Sequence, residues 1–156
     1  MDLTAPLIGK AGELRVRSEL LLKGLIPASF DQDVGTDIIL ENGKKLQVKT
    51  SLKPIYSKKD YSWRYSFSIR AQQFRSIGDG KYKKRHTRQN YGGLADYFVF
   101  WLIEQDVFYI VPEGEVGSKL SLVIATPDEK RLYKKHKIKG STSKYEKYKN
   151  NWEQLR

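Results

Sequence analysis

Residues 35–51 read GTDIILENGKKLQVKTS. Two short runs, 36–41 and 44–51, carry strand-forming residues on either side of Asn42-Gly43, a strong hairpin signal. The register of this hairpin decides what the stretch can do. A two-residue Asn42-Gly43 loop pairs Ile38 with Gln47 and turns Asp37 away from Gln47. A three-residue loop, Glu41-Asn42-Gly43, ends in a glycine suited to the left-handed position of a bulged turn. It pairs Asp37 with Gln47, Ile38 with Leu46 and Thr36 with Val48. Ile38, Leu40, Leu46 and Val48 then share one apolar face, and Asp37, Gln47 and Lys49 share the other. Hydrophobic pattern and polar grouping favour the same register.

On a strand, residues 47 and 49 point to one side and Val48 to the other. A carboxylate, an amide oxygen and an ammonium group thus emerge together. Asp37 and the side-chain oxygen of Gln47 suit a hard divalent cation, which takes oxygen ligands. Lys49 is placed to hold a water nucleophile or to neutralise charge building on phosphorus oxygens. Neither Asp37 nor Lys49 is expected to serve the core. A D…QxK pattern alone is weak, and what precedes it raises its specificity. Residues 9–24, GKAGELRVRSELLLKG, read as a helix ended by Gly24. Glu13, Val16, Arg17 and Leu20 share one side through i+3 and i+4 spacing. Glu13 therefore sits beside the buried face and completes the cation's shell, directly or through water.

Further along, Trp63, Tyr65, Phe67 and Ile69 alternate in 62–70, the period of a half-buried strand. Residues 97–103 and 106–111 form a second hairpin around Glu104-Gln105, apolar enough for central strands buried on both faces. A further strand at 121–126 is stopped by Pro127. Tyr145, Tyr148, Trp152 and Leu155 lie at helical spacing in 143–156, predicting a helix packed on the core. The stretch 78–93, GDGKYKKRHTRQNYGG, is a basic insertion and reads as a loop. Its Lys81, Lys83, Lys84, Arg85 and Arg88 are the candidate DNA contacts. His86 and His136 lack metal-ligand spacing, and Asp33 is assigned to the turn before Gly35.

The chain's 156 residues suit a single domain spanning 1–156. Twenty-nine Lys and Arg against eighteen Asp and Glu give +11, which favours a polyanionic partner. There are no cysteines, so disulfides and thiolate metal sites are excluded. No apolar run reaches membrane-span length, and the N-terminus lacks the pattern of a secretory signal, so a cytoplasmic protein without a membrane partner is expected.

The order GKAGE–L, then VGTD, then QVKTS resembles the PD-(D/E)XK nuclease superfamily, in its branch with Gln in place of the second acid. That branch includes group I intron-associated homing endonucleases. The ADYFVFWLI–FYIVP pair and the ending YEKYKNNWEQL are similar to it too. The resemblance implies an α/β, restriction endonuclease-like core with a mixed central sheet flanked by helices. It implies Mg²⁺-dependent hydrolysis of phosphodiester bonds in double-stranded DNA (Mn²⁺ able to substitute) and a homo-oligomer, dimer or tetramer. Glu13, Asp37, Gln47 and Lys49 match its catalytic positions, with Glu13, Asp37, Gln47 and the Val48 backbone carbonyl as metal ligands. Thr36 stands where the family name has proline, and Gln47 makes the site less negative than an acid would. A junction resolvase-like nuclease and a non-cleaving DNA-binding protein are the alternatives.

Overall fold

A computed structural model describes residues 4–28, 36–59, 61–69, 95–117, 119, 121–127 and 144–156. It describes residues 71–76 and 82–87 by their backbone alone. The elements below are those of the described residues.

Helix α1, Ala5–Leu22, begins a turn earlier than its composition predicts. Thr4 precedes it in extended conformation and Pro6 lies in its first turn, where a missing N–H costs nothing. It ends as expected: Gly24 takes φ +70, and the amides of residues 23–25 close back on the last-turn carbonyls. Gly12, Val16 and Leu20 form its buried stripe.

Five strands make a mixed sheet in the order β1-β2-β3-β8-β9. These are β1, Pro27–Ala28; β2, Ile38–Leu40; β3, Lys45–Ser51; β8, Tyr97–Leu102; and β9, Val107–Pro112. Neighbours run antiparallel except β3 and β8, which are parallel. A second, antiparallel sheet has the order β10-β5-β4, from β4, Ile55–Ser57; β5, Ser62–Ser68; and β10, Ser121–Pro127. Pro127 forms the last pair of β10, opposite Ser62, where a strand tolerates a residue without an N–H. The strands β6, Ala71–Ser76, and β7, Tyr82–Thr87, form an antiparallel ladder of their own. Part of the expected basic loop is therefore a hairpin arm: Lys83, Lys84 and Arg85 lie on β7, opposite Arg75, Phe74 and Gln73. Lys81 and Arg88 lie outside the described residues, as do Asp33 and His136.

Two apolar layers hold the sheets. Phe98, Phe100, Tyr109 and Val111 meet Tyr65, Phe67, Leu122 and Ile124 of the second sheet, with the Phe67 and Phe100 rings 4.9 Å apart. On the other face Val16 and Leu20 of α1 meet Ile38, Leu40, Leu46, Val48, Val99 and Ile110. Strands β8 and β9 are thus buried on both faces, as their near-continuous hydrophobicity implies. Yet β9 is an edge strand, not a central one. Its outer side is shielded by the C-terminal segment, where Tyr109 bridges to Lys149 and the Asn150 amide donates to the Phe108 carbonyl at 2.7 Å.

That pairing explains why 143–156 is not one helix. It folds as two 3₁₀ turns, Glu146–Tyr148 and Trp152–Leu155, around extended Lys149 and Asn150 at φ +50. The exposed edge of β9 offers backbone partners that a continuous helix would leave unmet. The aromatic stripe still packs inward: Tyr145, Tyr148, Trp152 and Leu155 are all buried. Among the described residues no helix is long and apolar enough to cross a membrane.

Candidate active site

The β2–β3 hairpin has the three-residue loop. Ile38 pairs with Leu46 and Ile39 with Lys45, while the Leu40 amide donates to the Lys44 carbonyl. Gly43 occupies the left-handed region at φ +85, which a side chain would strain. The tip is pinned from outside, since the Asn42 amide group donates to the Leu155 carbonyl and Lys44 Nζ to that of Gln154. With that register Ile38, Leu40, Leu46 and Val48 are buried against α1. Gln47 and Lys49, alternating with Val48 along β3, are left to the other side.

The ladder does not run on to Thr36 and Asp37 as the strand-like run 36–41 suggests. It stops at Ile38 because a side chain replaces the backbone partner. Asp37 Oδ2 accepts hydrogen bonds from the Val48 amide and from Gln47 Nε2, both at 2.6 Å. Asp37 is therefore structural as well as chemically available, contrary to the expectation that it serves no packing role. Loss of its carboxylate would strip a partner from a strand amide and from a buried side-chain amide.

Gln47 is buried, and with its Nε2 spent on Asp37 its Oε1 has no hydrogen-bond partner among the described residues. A buried amide oxygen without a donor is costly. A cation beside Asp37 would remove that cost. Among the described residues no three His, Cys, Asp or Glu side chains gather, so the donor set on offer is mixed. It comprises the Asp37 carboxylate, the Gln47 Oε1, the Glu13 carboxylate and a strand carbonyl such as that of Val48.

The electrostatics join the four predicted residues. Burial pushes the Asp37 carboxyl above the usual carboxylate range, and the negative charge of Glu13 adds to this. The Val48 amide, the Lys49 ammonium and the Gln47 amide pull the other way. Burial likewise holds the Lys49 ammonium below the usual lysine range, while Asp37 opposes the shift. Each charge is thus partly sustained by the other. Glu13 lies on the flank of α1, its Oε2 2.8 Å from Lys10 Nζ.

Two residues not singled out by the sequence set this geometry. Arg17, one turn beyond Glu13, donates to the Asp37 carbonyl at 2.9 Å and ties α1 to the acid's backbone. Gly12 lets the helix come close to β3, since a Cβ there would lie 2.0 Å from Thr50 Oγ1. The shared helix face of residues 13, 16, 17 and 20 contains the signal for Arg17. Nothing local marks Gly12, because Thr50 is distant in sequence. The open groove lined by Leu52, Lys53, Pro54, Trp63, Ile103 and Glu104 contains none of the four predicted residues.

No protein-family model matches the chain, and no curated protein matches its sequence. Among solved structures the fold is similar to that of a bacterial homing endonuclease, I-Ssp6803I. The TM-score is 0.66 and the identity 18%, over 98% of this chain and 93% of that one. At such identity the likeness establishes the fold.

Proposed function

We propose that the chain is a metal-dependent endonuclease of the PD-(D/E)XK type, hydrolysing phosphodiester bonds in double-stranded DNA in the manner of a homing or restriction-like enzyme. The observation that carries this reading is the buried Oε1 of Gln47, without a hydrogen-bond partner among the described residues, beside the carboxylate of Asp37, with Lys49 next on the same strand face. The similarity of the fold to a homing endonuclease and the net charge of +11 support it.

The residues fit a hard divalent cation such as Mg²⁺, with Mn²⁺ able to replace it. Asp37, Gln47 Oε1, the Val48 carbonyl and Glu13, directly or through water, are the oxygen donors. Such an ion polarises the phosphodiester and lowers the pKa of bound water. The chain's own groups do the rest. Asp37 and Gln47 hold each other in place through the 2.6 Å hydrogen bond, so the pair would meet a cation with little reorganisation. The Lys49 ammonium donates hydrogen bonds to the attacking water or to a non-bridging phosphate oxygen. Its charge offsets the negative charge that grows as the new bond to phosphorus forms and the bond to the leaving oxygen breaks. Arg17 holds the Asp37 backbone against α1 and acts by positioning. Lys81, Lys83, Lys84, Arg85 and Arg88 serve as DNA contacts around the β6–β7 arm. One site cuts one strand, so an even-numbered homo-oligomer is the simplest route to a double-strand break.

Incubation of supercoiled plasmid with the protein and Mg²⁺ should give nicked and linear DNA, with none in EDTA and far less with Lys49→Ala at the same time point. Intact plasmid under all conditions, together with retained duplex binding, would indicate a non-cleaving DNA-binding protein. Cleavage confined to four-way junctions would indicate a resolvase.

A further inference from the structure

The strand that carries Gln47 and Lys49 leads directly into a second basic element. Residues 52–64, LKPIYSKKDYSWR, run from the end of β3 through the β4–β5 hairpin and hold four cations against one acid. The state of three of these cations sets them apart from others on the surface. On α1, Lys10, Arg15 and Lys23 pair with Glu13, Glu19 and Asp106. In the C-terminal segment, Lys147, Lys149 and Arg156 pair with Glu115, Glu146 and Glu153. Lys53, Lys58 and Lys59 are exposed and have no ion pair or hydrogen bond among the described residues. Glu104 shares an open groove with Lys53 but forms no ion pair with it, so that charge stays available.

We infer that Lys53, Lys58 and Lys59 form a phosphate-binding edge, which grips the DNA duplex to one side of the scissile bond and is additional to the β6–β7 arm. The inference rests on the nuclease reading for its partner. Position gives the three charges this use. Lys53 follows Lys49 by four residues, at most about 13 Å along the chain. One strand of a duplex presents a phosphate about every 3.4 Å along the axis, so Lys53 stands within about four phosphates of the one that Lys49 meets. Lys58 and Lys59 form the turn between β4 and β5, at most about 20 Å beyond Lys53. The backbone that carries them is fixed in advance. β4 pairs with β5 from Ile55↔Arg64 to Ser57↔Ser62, β5 pairs in turn with β10, and Phe67 of β5 packs on Phe100 of the main sheet. A preorganised backbone lowers the ordering cost of binding. Lysine also suits the task, since a point charge on a flexible stem meets phosphates without reading bases. The edge therefore adds affinity and fixes the duplex over the site, and adds no sequence preference.

The test is the affinity of the full chain for a labelled duplex by fluorescence anisotropy, from about 50 to 200 mM salt, in EDTA and again with Ca²⁺. The triple variant Lys53→Gln, Lys58→Gln, Lys59→Gln should bind cognate and random duplexes more weakly and lower the slope of log affinity against log salt by about 2–3. Across that salt range wild type should lose about 15–40-fold more affinity than the variant does. A charge-matched control, Lys147→Gln, Lys149→Gln, Arg156→Gln, removes three cations already paired within the chain and should change the slope by less than about one. The lysine variant should keep the wild-type far-ultraviolet spectrum and melting temperature, because its three side chains are exposed. An unchanged slope in the lysine variant, or equal flattening in that variant and the control, overturns the inference and leaves the nuclease proposal standing. Lysine-dependent binding to phosphatidylcholine–phosphatidylserine vesicles with duplex affinity unchanged does the same. A wild type that binds no duplex in either condition overturns both.

Discussion

Asp37 separates chemistry from stability, because its carboxylate holds two hydrogen bonds and also carries a charge that burial disfavours. Asp37→Ala leaves the Val48 amide and Gln47 Nε2 without their 2.6 Å partners. A buried donor left unsatisfied costs about 1–3 kcal/mol, so the pair should cost about 2–6 kcal/mol. In a chain of this size that is a fall of roughly 4–24 °C in melting temperature. Asp37→Asn keeps an oxygen for the Val48 amide, and the Gln47 amide can turn its oxygen toward the new NH₂ group. Its melting temperature in EDTA should stay within a few degrees of wild type. The pH dependence gives an independent check. The folded carboxyl titrates above its unfolded value, so its contribution to stability is complete below the ordinary carboxylate pKa. That contribution is lost as pH rises through the folded pKa. Asparagine does not titrate, so Asp37→Asn should gain on wild type as pH rises from the ordinary carboxylate range through the raised folded pKa of Asp37. Both variants should lose cleavage, and Mg²⁺ should raise the melting temperature of wild type alone. Equal melting temperatures for Asp37→Ala and wild type would refute the hydrogen-bond reasoning. Wild-type cleavage by Asp37→Asn would refute the site.

Lys49→Ala should reduce single-turnover cleavage by about 10²–10³-fold while leaving duplex affinity within a fewfold, since it removes charge stabilisation in the transition state; a rate within threefold of wild type would exclude Lys49 from the chemistry. Gly12→Ala would ordinarily firm a helix by up to about 1 kcal/mol. Here the new methyl meets Thr50 Oγ1 at 2.0 Å, so denaturant unfolding should show a loss of about 1–3 kcal/mol, partly restored by adding Thr50→Ala. Neutralising Lys81, Lys83 and Lys84 together should weaken binding to cognate and random duplexes alike, and flatten the salt dependence by up to about three phosphates' worth of slope; an unchanged slope would remove this segment from the interface. Replacing Arg85 or Arg88 should instead relax preference at one or two base pairs, read by comparing the same two duplexes.

The hairpin register follows from the sequence by itself, because two local constraints agree. Gly43 supplies the positive φ of a three-residue loop, and only that register gathers Ile38, Leu40, Leu46 and Val48 on one face. The stop at Gly24, the strands around residues 62–70, 97–103, 106–111 and 121–126, and the inward packing of Tyr145, Tyr148, Trp152 and Leu155 were legible for the same reason. Each is written in side chains a few residues apart. What the chain does over longer distances was not. The spacing of the C-terminal aromatics fits a helix, but the open edge of β9 competes for that backbone, and Asn150 yields to it. Continuous hydrophobicity marks β9 as doubly covered without saying that it lies at an edge. The basic run could not show that β7 finds a partner in β6. Most of all, the grip of Asp37 on Val48 and Gln47, its tether to Arg17 and the contact of Gly12 with Thr50 join residues from three separate elements. Such contacts depend on how a helix sits on a sheet, and no local pattern encodes that distance.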